Sequence, residues 1–143
     1  MQSSMALPYD AKGALLPAYL FREEAAAGLY TSIKDYAAFV AANADGKGIL
    51  QPSTLTSMFT PITIHPDLIN RMHNVFEQKY GLGFVIEQKH GNTIIGHTGN
   101  NPGYNHAFKF IPAQGDRIVV FSNGDNKSVY KSVLKEWQYG RGL

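Results

Sequence analysis

The chain has 143 residues, enough for one domain or for a piece of a larger one, and its 44% hydrophobic and 12% aromatic content belongs to a globular protein, not a disordered tail. No apolar run approaches the ~20 residues of a membrane span, and with no cysteine present, disulfides, thiolate chemistry and cysteine-based zinc sites are excluded. A net charge of +2, with basic residues scattered except for Lys127, Lys131 and Lys135 at helical spacing, argues against a nucleic-acid partner.

Residues 1–27 carry Pro8, Gly13 and Pro17 and read as an extended, irregular lead-in; the first six lack the basic-then-apolar pattern of a signal peptide, and the compartment stays open. Ser32 stands where an N-cap is wanted, with Asp35 three positions on as a capping-box partner. Behind it Ile33, Tyr36, Ala37 and Val40 fall on one helical face, and residues 43–48 stop the helix. A shorter helix follows Pro52, burying Leu55, Met58 and Phe59, and ends before Pro61. After Pro66, Leu68, Ile69, Met72, Val75 and Phe76 form an apolar stripe opposite Asn70, Arg71, His73 and Asn74, the pattern of an amphipathic helix.

Near residue 80 the period changes from helical to alternating. Residues 82–87 read as a strand, His90-Gly91-Asn92 as a turn, residues 93–98 as a second strand, 104–111 as a third and 117–122 as a fourth. A closing helix begins after residues 123–126, with Val129, Tyr130, Val133, Leu134 and Trp137 expected on its inner face. The sum is an α+β fold: an antiparallel sheet over residues 81–122, flanked by N-terminal helices and a C-terminal helix. Residues 1–143 form one unit, with 1–79 mainly helical or irregular and 80–143 supplying the sheet and terminal helix.

The segment Gly96-His97-Thr98-Gly99-Asn100-Asn101-Pro102-Gly103-Tyr104 holds the densest chemistry. Taken by itself it is a hairpin connection with a histidine near its mouth, where Gly99 removes a side chain and lets another group approach. Elsewhere little competes. The histidines at 65, 73, 90, 97 and 106 have no metal-ligand spacing, so no metal and no cofactor is expected. Glu23, Glu24, Asp45 and Glu87 form no acid/base pair by spacing. Gly81-x-Gly83 opens a strand rather than a helix and is no nucleotide loop.

Five segments in order resemble one family. Ala25-Ala26-Ala27-Gly28-Leu29-Tyr30-Thr31-Ser32 is similar to a small-residue, helix-starting segment of the serine β-lactamase and penicillin-binding-protein family, which includes class C β-lactamases, D-Ala-D-Ala carboxypeptidases and related esterases. Tyr80-Gly81-Leu82-Gly83-Phe84 is similar to the Tyr-Gly-Leu-Gly strand that comes later in those proteins. The 96–104 segment resembles their Gly-His-(Ser/Thr)-Gly to Pro-Gly-aromatic stretch. Phe108-Lys109-Phe110-Ile111-Pro112 and Val119-Val120-Phe121-Ser122-Asn123 follow as a strand reaching a proline and a Val-Val-x-x-Asn strand end.

The resemblance implies the C-terminal part of a β-lactamase/transpeptidase-like fold in a serine acyl hydrolase, with a lactam, peptide or ester substrate. It assigns His97 to the third motif, donating toward the substrate carboxylate and the catalytic tyrosine. Thr98 would hydrogen-bond the substrate, Gly99 would leave room for a peptide-like substrate along the strand edge, and Asn100 would give its backbone N–H to the oxyanion hole. Family members are often periplasmic or secreted. Histidine in place of lysine leans toward an esterase or peptidase-like relative.

The family's nucleophile lies in a Ser-x-x-Lys motif followed by Tyr-x-Asn, both upstream of the matched stretch, and residues 1–24 contain neither. The formal strings Ser128-x-x-Lys131 and Ser132-x-x-Lys135 fall downstream, on the closing helix, where they read as its solvent face. The chain alone is therefore expected to be catalytically silent. The alternative is a non-catalytic ligand-binding or interaction module derived from that fold; a fold lacking its upstream half exposes a sheet edge that invites homo-oligomers or a partner.

Overall fold

The computed structural model describes residues 5–62 and 79–143. The amphipathic stripe between residues 68 and 76 lies outside the described residues. The lead-in folds back on itself, Tyr9 bridging Leu15, and then crosses the end of the sheet, where Tyr9 N–H donates to the Asn123 carbonyl at 3.1 Å and Asp125 N–H to the Tyr9 carbonyl at 3.0 Å. One turn of helix within it, α1 (Glu24–Ala27), was not legible in the sequence.

α2 (Ile33–Ala44) begins as its residues dictate. Asp35 N–H donates to Ser32 Oγ at 3.1 Å, and that hydroxyl donates to the Asp35 carboxylate at 2.7 Å, so one side chain satisfies an otherwise orphaned amide and places negative charge at the positive end of the helix. Its far end is held by β5, where Arg117 pairs with Asp45 at 2.8 Å and donates to the Ala41 carbonyl at 3.3 Å. α3 (Pro52–Met58) takes Pro52 in its first turn, where a missing N–H costs nothing, and buries Leu55.

Among the described residues five strands form one antiparallel sheet in the order β1 (Lys79–Tyr80), β2 (Val85–Lys89), β3 (Asn92–Asn101), β4 (Tyr104–Ile111), β5 (Asp116–Ser122). The two-residue β1 is too short to give a sequence pattern. β2 begins three residues later than expected because residues 81–84 turn, Gly81 N–H donating to the Phe84 carbonyl at 2.8 Å. The β2–β3 turn uses His90 at φ 47° and Gly91 at φ 78°, the two left-handed residues that match the strand twist. His90 is further fixed by its Nδ1, which donates to the Gly142 carbonyl at 2.8 Å. β3 is longer than expected, ten residues, because β4 pairs with it all the way to Asn101.

Both faces of the sheet are covered. Val40 of α2 packs with Phe84, Ile86, Ile95, Phe108 and Phe110 on one face, with Phe59 edge-on to Phe84 and Phe110. The closing helix α4 (Lys127–Tyr139) covers the other: Trp137 with Ile94 and Ile111, Tyr130 and Leu134 with Ala107. β4 is thus buried on both sides, Ala107, Phe110 and Ile111 all at 0% exposure, and burying such a phenylalanine contributes roughly 1.5–3 kcal/mol. The inner face of α4 is narrower than expected. Val129 and Val133 are 55% and 42% exposed, because the helix rests on Tyr130, Leu134 and Trp137 alone.

Candidate functional site

The strand that carries His97, Thr98, Gly99 and Asn100 is shared unequally by its neighbours. β4 pairs with β3 from Ile95 to Asn101, but on the other side the last pair is Val85 with Gly96. Beyond Gly96 the chain of β2 has turned away. Two-residue turns fix which backbone groups point where, because the residues flanking them exchange hydrogen bonds. Lys89 and Asn92 flank His90-Gly91, so Asn92, Ile94 and Gly96 face β2. Asn101 and Tyr104 flank Pro102-Gly103, so Asn101, Gly99, His97 and Ile95 face β4. The N–H and C=O groups of Thr98 and Asn100 therefore continue the β2-facing row past the end of β2, and no backbone group of the described residues pairs with them there.

The turn that makes this register is tightly specified. Pro102 sets the first turn residue, and Gly103, at φ 75°, packs against Pro8 where a Cβ would collide with that ring. Gly103 N–H donates to Asp125 at 2.9 Å. Asn101 Nδ2 donates to the Ala27 carbonyl at 3.1 Å, which brings the end of α1 to the end of β3.

Side chains along a strand alternate, and this separates the four residues. His97 and Gly99 lie on the α2 face, opposite Phe108 and His106, whereas Thr98 and Asn100 lie on the α4 face, opposite Ala107 and Asn105. What the four share is one backbone edge. His97 is half buried, its ring edge-on to Tyr80 at 6.1 Å between centroids. Thr98 is exposed. Asn100 is exposed too, its side-chain oxygen accepting from the Tyr130 hydroxyl at 3.5 Å. The space left by the absent side chain at Gly99 is filled from within: the His106 imidazole lies where a Cβ would be.

His106 belongs to a small aromatic wall that sequence reading did not assign to the site. Tyr36 of α2 stands edge-on to His106 at 5.9 Å, and Phe121 of β5 at 6.0 Å. Desolvation by these neighbours, and secondarily the charge of His97, pushes the His106 imidazole below its ordinary range, while burial raises Tyr36. At neutral pH His106 is therefore an uncharged ring. Counting back from the Pro102-Gly103 turn, 101 against 104 and 99 against 106, would have found it.

Neither downstream Ser-x-x-Lys string assembles a nucleophile. Ser128 Oγ donates at 2.6 Å to Asn126 Oδ1, which caps α4, and Ser132, Lys131 and Lys135 face solvent. Among the described residues no helix is long and apolar enough to cross a membrane.

The same arrangement of strands and helices occurs in solved proteins. The chain superposes on a penicillin binding protein from Bacillus halodurans with a TM-score of 0.66 at 17% identity, covering 96% of this chain and 42% of that one. It matches an octameric penicillin-binding protein homologue from Pyrococcus abyssi with a TM-score of 0.60 at 22% identity, over 82% of this chain and 26% of the other. A D-stereospecific amidohydrolase from Streptomyces sp. gives a TM-score of 0.51 at 24% identity, over 66% and 26%. The chain thus spans between a quarter and under a half of these structures. No curated protein matches it. The family model named Beta-lactamase matches residues 3–137, nearly the whole sequence, and the chain belongs to that family of serine hydrolases.

Proposed function

We propose that this chain supplies the substrate-side edge of a serine acyl hydrolase, acting on an amide, lactam or ester, and that the nucleophile comes from another segment. One observation carries the reading. The backbone groups of Thr98 and Asn100 form a stretch of strand edge that none of the described residues pairs and that β4 holds rigid, which is the geometry an extended acyl or peptide group needs to add itself by hydrogen bonds. In this reading the Asn100 N–H is one donor to the developing oxyanion, a contribution of about 3 kcal/mol to transition-state stabilisation. Thr98 adds a hydroxyl for a carboxylate or carbonyl, and His97 adds an imidazole N–H. Gly99 keeps the strand slim and seats His106 beneath it. Two of the structural relatives, a penicillin binding protein and a D-stereospecific amidohydrolase, are named for acyl ligands, which supports an acyl substrate here.

The sequence holds Ser-x-x-Lys only at residues 128–131 and 132–135, so the chain by itself should not turn over substrate. Incubation with a chromogenic cephalosporin and a short nitrophenyl ester tests this, and activity above a His97→Ala control would overturn it. Binding is tested separately by following backbone amide resonances during titration with an acyl-D-Ala-D-Ala peptide. Shifts centred on Thr98 and Asn100 are expected. Shifts elsewhere with none on these two would remove the assignment.

A further inference from the structure

Of the asparagines in the chain, Asn123 alone is followed by glycine. Asparagine is a chemically labile side chain, and its lability depends on the next residue. The backbone nitrogen of that residue can attack the carboxamide carbon and close a succinimide ring. A side chain on the attacking residue hinders the approach, and glycine has none. Asn123 and Gly124 stand just past β5, where the lead-in crosses the end of the sheet.

The local geometry leaves the attacking nitrogen free. Tyr9 N–H donates to the Asn123 carbonyl and Asp125 N–H to the Tyr9 carbonyl, so the backbone groups of Gly124 itself face the other way, toward β4. There the Gly124 carbonyl accepts from Asn105 Nδ2 at 2.6 Å, while the Gly124 N–H donates to none of the described residues. This side of the loop is turned to the sheet, not to the outer edge of β5. A Cβ built on Gly124 would meet nothing nearer than the Tyr9 carbonyl oxygen at 4.0 Å, so the glycine is uncrowded. The nitrogen that would leave, Asn123 Nδ2, donates to the Leu7 carbonyl at 3.0 Å. Asn123 is exposed in this chain, and water reaches it.

We infer that Asn123-Gly124 is a site of spontaneous covalent modification, and that the change unfastens the lead-in from the end of β5. The Gly124 nitrogen forms a bond to Asn123 Cγ, the Cγ–Nδ2 bond breaks, and Nδ2 departs as ammonia with the proton given up by the Gly124 amide. One water then opens the ring, at Cγ to give aspartate or at the backbone carbonyl carbon to give isoaspartate. The sum is asparagine plus water to acid plus ammonia. Either product replaces the Nδ2 donor by a carboxylate, which only accepts, opposite the Leu7 carbonyl, which also only accepts. Isoaspartate further routes the main chain through Cβ and Cγ, one carbon longer, and displaces Asp125. That residue serves Tyr9 through its N–H and holds Gly103 N–H through its carboxylate at 2.9 Å, so the change reaches the turn between β3 and β4. The inference does not rest on acyl binding at β3.

Ageing the folded chain at mildly alkaline pH and following its tryptic peptides by mass spectrometry tests it. The peptide of residues 118–127 should gain the mass difference between an amide and an acid, as two products that separate by chromatography. Gly124→Ala, which the open space beside it accommodates, should slow the gain about tenfold or more with an unchanged circular-dichroism spectrum. Asn123→Asp installs one product directly and should lose amide-exchange protection at Tyr9 and Asp125 while Ile94 and Ile95 keep theirs. A peptide that holds its mass in the folded chain but gains it in urea overturns the inference. So do a Gly124→Ala chain that ages as fast, other asparagines that react before Asn123, and an Asn123→Asp chain with Tyr9 and Asp125 as protected as before.

Discussion

The imidazole of His106 occupies the place of a side chain at Gly99, the residue opposite it on β3. The two positions are therefore one packing unit. Gly99→Ala should drive the ring out against Tyr36 and Phe121 and cost about 1–3 kcal/mol, the usual penalty of overpacking. In the Gly99→Ala/His106→Ala pair the clash is gone, so the double variant should lose less than the sum of the singles. Urea unfolding of the four proteins measures this, and strict additivity would show that the ring and the glycine are uncoupled.

His106 also makes stability depend on pH with a definite sign. Its imidazole is held below the ordinary range by burial and, secondarily, by His97, so the folded chain resists a proton that the unfolded chain accepts. The contribution is fully present above the ordinary histidine value of about 6.5. It declines as pH falls below that value and is lost through the lower folded value. His106→Gln should flatten the slope of unfolding free energy between neutral and mildly acidic pH. An unchanged slope would assign the dependence to other groups.

Gly96 has a different neighbour. A Cβ there would collide with the Phe108 carbonyl and crowd the stem of Lys109, which crosses β3 to reach Glu87 at 2.8 Å. Both partners are largely shielded, with side-chain exposures of 15% and 19%, so removing the Lys109 ammonium takes away a charge-assisted hydrogen bond that water replaces only in part. Lys109→Ala should cost about 1.5–3 kcal/mol, while Lys109→Met with Glu87→Leu should cost much less. Thermal unfolding of the single and double variants distinguishes the two. Equal losses would mean that the pair acts only through packing.

The cap of α2 gives the simplest check. Ser32→Ala removes the acceptor for Asp35 N–H and should cost about 1 kcal/mol, while Ser32→Asp should largely restore it. Guanidinium unfolding monitored at the helix band reads both. A neutral Ser32→Ala would show that this end is held by other contacts.

Much of the architecture is legible in the sequence because it rests on local chemistry. Ser32 with Asp35, Pro52 in a first turn and the alternation from Tyr104 to Phe110 each name their element without help from the rest of the chain. The misses come where a neighbour decides. Val129 and Val133 look like core residues at helical spacing, yet their exposure follows from how α4 sits on the sheet. Asn105 reads as an outward polar residue, but it is 1% exposed and its Nδ2 donates to the Gly124 carbonyl at 2.6 Å, because α4 and the loop after β5 cover that face. Of the candidate site, residues 97–100 are named by sequence order alone. Their division between two faces, and the place of His106, follow only once the Pro102-Gly103 turn is used to count pairs.

Among the described residues each strand pairs only with those adjacent to it in the sequence, with no crossover. Short-range pairing needs little loop-closure entropy, and such a sheet can zip together turn by turn from either hairpin. The joint with the greatest separation along the chain is the seam of Tyr9 with residues 123–125, more than a hundred positions apart. That seam ties the lead-in across the far end of the sheet, so the lead-in holds its place only where β5 and the loop after it are in register.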